Sequence, residues 1–173
     1  MKNLITAIAI TTLVVSCSKK DTQSTPNQSD STKIVDSINA ARTKINDSIK
    51  AKNSENNFKD FSGDHKFTYQ SQNSSTKTGS VNFKKMGRDD YDVSGSIKSG
   101  ENSVIIKGSA IVVSPKHMNF TGEITQRISS DNNGKPYTRK GTKTFMSKDG
   151  GKTWRLQAMV NGSGFVDYID IHF

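Results

Sequence analysis

Apolar and polar positions follow two different rhythms along the chain. Between residues 33 and 52 the isoleucines Ile34, Ile38, Ile45 and Ile49 recur at helical spacing and align with Ala41, which predicts one amphipathic α-helix. From residue 58 to residue 173 the period falls to two, in segments separated by Gly, Asn, Ser and Asp. Eight such segments lie near 65–71, 80–86, 90–98, 103–114, 117–128, 137–146, 153–160 and 166–173. Their inward faces are legible: Phe67 and Tyr69; Val81 and Phe83; Tyr91, Val93 and Ile97; Met118, Phe120, Ile124 and Ile128; Trp154, Leu156, Ala158 and Val160. One-sided alternation of this kind belongs to antiparallel strands with one wet face.

Short turns at Ser99-Gly100-Glu101, Ser114-Pro115-Lys116 and 131–134 join successive segments, so sequence neighbours pair as a meander. Eight meandering strands close naturally. The predicted fold class is therefore mainly β: an antiparallel, lipocalin-like barrel over 58–173, preceded by the helix. A two-sheet sandwich is the alternative. Gly95, Gly108, Gly122 and Gly141 sit mid-strand in four successive segments, where they read as bends that let a small barrel curl. Val104-Ile105-Ile106 and Ile111-Val112-Val113 are apolar on both faces, and the 33–52 helix is the expected cover for the outer one.

That helix contains a repeat: KIVDSINA at 33–40 returns as KINDSIKA at 44–51. An offset of eleven residues, close to three turns, keeps one face aligned along a nearly straight helix. Its apolar stripe is narrow, so alone in water the helix is marginal and is expected to dock. The open end of the barrel, a second copy or other protein partner, and a membrane surface are the candidates.

Upstream, Lys2 precedes an apolar run from Leu4 to Val15 that is too short to span a bilayer comfortably. The next residues, Val14-Val15-Ser16-Cys17, resemble the lipobox of bacterial lipoproteins, with an aliphatic residue three before the cysteine and a small one just before it. The resemblance implies a signal peptide over 1–16, cleavage before Cys17, and acylation of that cysteine. Each buried CH₂ of such an anchor adds ~0.8 kcal/mol, so two or three chains give lasting membrane attachment. Residues 17–32 then form the lipidated cysteine and a polar, flexible linker. Ser18 after the cysteine favours the outer membrane of the cell envelope. Cys17 is the only cysteine, which excludes intramolecular disulfides, paired-cysteine zinc sites and CxxC redox chemistry. With 25 basic and 16 acidic residues the net charge is +9. For an exported protein that favours anionic lipid or glycan surfaces over nucleic acid, with a lysine-rich solvated face as the plainer reading.

Few motifs carry chemistry. Residues 147–154, Ser147-Lys148-Asp149-Gly150-Gly151-Lys152-Thr153-Trp154, match S-x-D-x-G-x-T-W and resemble the Asp-box of sialidases and other glycan-handling β proteins. The resemblance implies a structural hairpin: Ser147, Asp149, Gly151 and Thr153 shape the turn and Trp154 packs beneath it. A sialidase propeller needs several blades of about 40–50 residues, which 58–173 cannot supply. In the 137–146 segment Arg139 and Lys143 share a face with Tyr137 and Phe145. Inward cations would need carboxylates such as Asp167 or Glu123, or an anionic ligand, so Arg139, Lys143 and Tyr137 are the candidate ligand-binding residues. The opposite register, with Thr138, Thr142 and Thr144 inward and both cations wet, is the preferred one.

The carboxylates of Arg88-Asp89-Asp90-Tyr91-Asp92 lack calcium-loop spacing and read as a solvated hairpin. His65, His117 and His172 lie in different strands without metal-ligand spacing, so no metal and no cofactor is expected. No nucleophile elbow or phosphate-binding fingerprint occurs, which disfavours an enzyme. The end of the chain, from Gly141 to Phe145, Trp154 to Gln157 and Asp167 to Phe173, is similar to small lipoproteins of Bacteroidetes, as is the triplet Asp-Ser-Ile at 36–38 and 47–49 to their O-glycosylation acceptor. Two functional readings follow: a membrane-anchored binding module for a small apolar or anionic ligand, or a protein-interaction lipoprotein such as a hydrolase inhibitor or envelope-complex subunit.

Overall fold

The computed structural model describes residues 28–71 and 74–173. The expected signal peptide, Cys17 and the start of the linker lie outside the described residues. The chain divides into two units, one up to Thr43 and one from Lys44 to Phe173, with helix α1 (Gln28–Ser54) running through the boundary. The helix begins before Lys33, taking in positions assigned to the linker by composition. Asp30 in its first turn complements the positive end of the helix dipole and pairs with Lys33 at 3.8 Å. At the other end Arg88 donates from Nε to the Glu55 carbonyl at 3.0 Å and from Nη2 to the Lys52 carbonyl, placing a cation where the last carbonyls point.

Eight strands follow: β1 (Gly63–Ser71), β2 (Lys77–Gly87), β3 (Asp90–Ser99), β4 (Asn102–Ser114), β5 (His117–Arg127), β6 (Tyr137–Ser147), β7 (Thr153–Leu156) and β8 (Asp167–His172). Each pairs antiparallel with the next, and β8 returns to β1 with Ile171 opposite Phe67 and Ile169 opposite Tyr69. The result is the closed meander expected from the alternation, without a sheet edge at that seam. Left-handed residues make the tight turns: Asp89 at φ 54 between β2 and β3, and Gly100 at φ 58 between β3 and β4.

The inward positions fill the barrel. Phe67, Tyr69, Val81, Tyr91, Val93, Met118, Ile124, Phe145, Trp154, Leu156 and Ile169 are all 0% exposed. One end is stoppered by aromatic rings, with Phe61 at 4.4 Å from Phe173 and 5.4 Å from Trp154 in edge-on contact. The wall curls where backbones come unusually close. Gly108, Gly122 and Gly141 lie side by side on β4, β5 and β6. A methyl group on Gly122 would stand 2.3 Å from the Lys107 carbonyl oxygen and 2.7 Å from the Gly108 Cα, with the Phe120 ring at 2.9 Å. Gly122→Ala is therefore expected to cost about 1–3 kcal/mol through overpacking, read as a lower urea midpoint with unchanged slope.

Two expectations are corrected. The seventh strand stops at Leu156 rather than reaching residue 160, because the Met159 N–H turns back to the Gln157 carbonyl at 2.9 Å and takes the chain out of register. Val160 is consequently exposed, touching the sheet again only through a bridge to Val166. Within the unit from Lys44 to Phe173, the outer apolar residues Ile105, Ile111 and Val113 are exposed, and so are Ile45 and Ile49, so this part of the helix does not cover them.

Candidate functional site

Strand β6 takes the register opposite to the preferred one. Arg139 points inward and is 4% exposed, whereas Thr138, Thr142 and Thr144 face out and join Thr125, Thr121 and Asn119 across the sheet at 2.9, 2.9 and 3.2 Å. The physical reason is a partner supplied by β8. Asp167, 0% exposed, sits 3.3 Å from Arg139 Nη2 and also accepts from Gln126 Nε2 at 2.7 Å and from the Tyr69 hydroxyl at 3.0 Å. Arg139 Nη1 donates to Gln126 Oε1, and the guanidinium lies over the Tyr137 ring at 5.1 Å. Burial, reinforced by the neighbouring Asp167, raises the Tyr69 hydroxyl well above its ordinary range and keeps it a donor. Of the three candidate ligand contacts, Arg139 is thus neutralised by protein carboxylate, Tyr137 packs on it, and Lys143 lies half-buried further along the same strand. Glu123, the other carboxylate considered, pairs outside with Lys140 at 2.8 Å.

The 147–154 hairpin is a dense local network. The Asp149 carboxylate accepts from the backbone of Thr153 at 2.9 Å and Lys152 at 3.2 Å and from the Ser147 hydroxyl at 2.9 Å. Ser147 in turn accepts from the Gly151 N–H at 2.9 Å, and the buried Trp154 indole donates to the Gly151 carbonyl at 3.1 Å. The Thr153 amide, with these other donors, draws Asp149 down to about 2 from 3.8. A depressed carboxyl stabilises the folded form fully above its unfolded value and stops doing so as pH falls through its folded one. The hairpin should therefore hold above about pH 4 and lose this contribution progressively between about pH 4 and about pH 2, followed by Trp154 fluorescence and the Asp149 carboxyl NMR signal.

Sequence reasoning missed Asp89. Instead of being solvated it is 3% exposed, accepting from the Asn57 backbone at 2.9 Å, the Asn57 amide at 2.8 Å and the Phe58 N–H at 3.0 Å, and so it pins the segment that carries Phe61 over the barrel end. Each histidine has a separate local partner: His65 the Phe61 carbonyl at 2.8 Å, His117 the Ser114 hydroxyl at 3.0 Å, and His172 the Thr68 hydroxyl at 2.9 Å.

Among the described residues, one concavity that opens to solvent lies on the outside of the barrel and another, of about 280 Å³, lies beside Phe58, Phe61 and Val112. The first, a groove of about 380 Å³, crosses the outer face of β6, β7 and β8, with Met146, Met159 and Tyr168 as apolar lining and Lys148, Asp149, Thr153, Arg155 and Gln157 as polar lining. Its centre is rigid. Arg155 donates from Nε and Nη2 to the two oxygens of Asp170 at 2.8 and 2.7 Å, and its guanidinium stacks on Tyr168 at 4.3 Å. Asp170 raises the Arg155 pKa further, so the cation is permanent. The fork to Asp170 uses one edge of the guanidinium, leaving Nη1 on the other edge. Gln157 is fixed by its bond to the Arg155 carbonyl at 2.8 Å. The alternation of the last two strands marks Arg155 and Tyr168 as outward, flanking the inward Trp154, Leu156 and Ile169, but not that they meet.

Together these features define an eight-stranded antiparallel β-barrel that is packed inside and concave outside. The chain belongs to the PM1083 family, which matches residues 42–173. It is similar to the uncharacterized protein PM1083 of Pasteurella multocida (strain Pm70), 38% identical over 119 residues that cover 64% of this chain and 72% of that protein. Among solved structures it is similar to a redesigned β-barrel, 13% identical, with a TM-score of 0.43 over 65% of this chain and 90% of that one.

Proposed function

We propose that this protein is a non-catalytic envelope lipoprotein, held on the outer membrane by acyl chains on Cys17, whose barrel presents the outer groove to a small ligand with an apolar body and an anionic end. The observation that carries this reading is the pairing of a filled interior with a preformed groove of about 380 Å³ that has Met146, Met159 and Tyr168 on its walls, and Lys148 with the free edge of Arg155 as donors beside an Asp149 carboxylate already engaged by the hairpin amides. The two methionines adapt to an apolar body of varied shape, and the outer edge of Arg155 with Lys148 offers donors to a carboxylate or phosphate. A sugar is a poorer fit, because the Tyr168 face it would stack on is occupied by Arg155.

Dodecanoate is a suitable probe, with neutral dodecyl maltoside as its control. Dodecanoate is expected to shift the amide signals of Met146, Thr153, Arg155 and Tyr168 and to leave Arg139 unmoved; shifts centred on Arg139 and Lys143 would return the site to the interior. Anchoring is tested separately, by labelled palmitate incorporated into the full chain and absent from Cys17→Ser. The second reading, a protein-interaction lipoprotein, draws on the exposed Ile105, Ile111 and Val113 of β4.

A further inference from the structure

Every residue of α1 from Asp30 to Ser54 is exposed, the isoleucines Ile34, Ile38, Ile45 and Ile49 among them at 46–61%. A helix with this stripe left in water is marginal, so its apolar face calls for a cover. The charges around the stripe say which kind. At 100° per residue Ile34, Ile38, Ala41, Ile45 and Ile49 fall within an arc of about 80°. Lys33 and Lys44 lie on one side of it at about 100–120° from its centre, Arg42 flanks the other at about 60°, Lys52 falls in line with it, and Lys50 lies about 140° away, toward the opposite face. Asp36 and Asp47 lie about 160–180° away, on the opposite face. The remaining acid, Asp30, is near the stripe but pairs with Lys33. Because the repeat offset is eleven residues, the arrangement of lysine beside the stripe and aspartate behind it occurs twice.

Basic flanks on both sides oppose a second copy, since packing two such stripes together brings like charges to the positions that decide pairing in a coiled coil. The same pattern suits an anionic lipid surface: isoleucines enter the acyl boundary, flanking lysines and arginine extend to headgroup phosphates, and carboxylates face water. We propose that α1 lies on an anionic bilayer, apolar face down, as a second membrane contact. Delivery to the bilayer rests on the anchoring reading. Ten residues, 18–27, separate Cys17 from the helix and reach at most ~36 Å when extended, so an anchored chain keeps the helix beside the membrane.

A surrogate tether separates the two ideas. The chain from Ser18 to Phe173, carrying an N-terminal histidine tag, is bound to nickel-chelating lipid in vesicles with and without phosphatidylglycerol, and amide exchange is followed through α1. On phosphatidylglycerol vesicles, exchange over residues 34–49 is expected to slow about tenfold or more, as for a surface helix that becomes buried on one face. The slowing should vanish in Ile38→Asn with Ile45→Asn, and in Lys33→Glu with Lys44→Glu. Unchanged exchange on phosphatidylglycerol, equal slowing on phosphatidylcholine alone, or slowing without lipid that grows with protein concentration would each overturn the proposal.

Discussion

Asp167→Ala is expected to remove about 3–5 kcal/mol of stability, because it leaves the Arg139 guanidinium inside the barrel without a counter-charge. That is a large share of the ~5–15 kcal/mol that holds a domain of this size together, so the variant should be partly unfolded at ambient temperature. Arg139→Ala should cost a similar amount by stranding Asp167, although Gln126 and the Tyr69 hydroxyl still donate to it. Replacing both ions at once, Arg139→Met with Asp167→Leu, should recover much of the loss, since neither charge then remains buried alone. Urea denaturation of the two single variants and the double closes the cycle; additive losses would show that the pair is not the unit described. Asp167→Asn also gives an independent reading, because Tyr69 then loses one of the influences that raise it and should titrate at lower pH in ultraviolet absorbance.

Trp154→Ala is expected to cost about 3–5 kcal/mol. The indole is 0% exposed, packs edge-on against Phe61 at 5.4 Å and Phe173 at 6.4 Å, and donates to the turn that Asp149 organises. Its removal opens the aromatic stopper and unsupports the hairpin together. Trp154→Phe loses the indole hydrogen bond and a part of the packing but keeps the rest, so it should cost clearly less, both being measured by far-ultraviolet circular dichroism in denaturant.

Most of the barrel was legible because alternation and burial are the same signal on a one-sided strand. Phe67, Tyr91, Phe120 and Trp154 announce their faces without help from any neighbour. β6 did not, since Thr138, Arg139, Lys140, Thr142 and Lys143 are polar on both faces and the register is decided by Asp167, on another strand and 28 residues away. The end of β7 was hidden for a related reason: Ala158 and Val160 keep the alternation going, while the backbone has already turned at Gln157. Asp89 looked solvated because its ligands, the amides of Asn57 and Phe58, come from a segment with no pattern of its own. The groove was hidden most completely. Its walls are outward residues of three strands, and only closure of the barrel places Met146, Arg155 and Tyr168 side by side.

The site we propose therefore lies on the outer face of β6, β7 and β8 rather than on the inner face of β6, and the ligand expected from sequence, apolar or anionic, becomes in the proposal one that combines an apolar body with an anionic end. The most direct test is native mass spectrometry of residues 18–173 purified from the envelope of the host, with extraction of whatever is bound. A single small amphiphilic anion on the folded chain, kept by Lys143→Ala and lost by Lys148→Glu with Met159→Asp, is the result expected. A ligand-free chain, or a ligand that survives the groove double variant, would contradict the account.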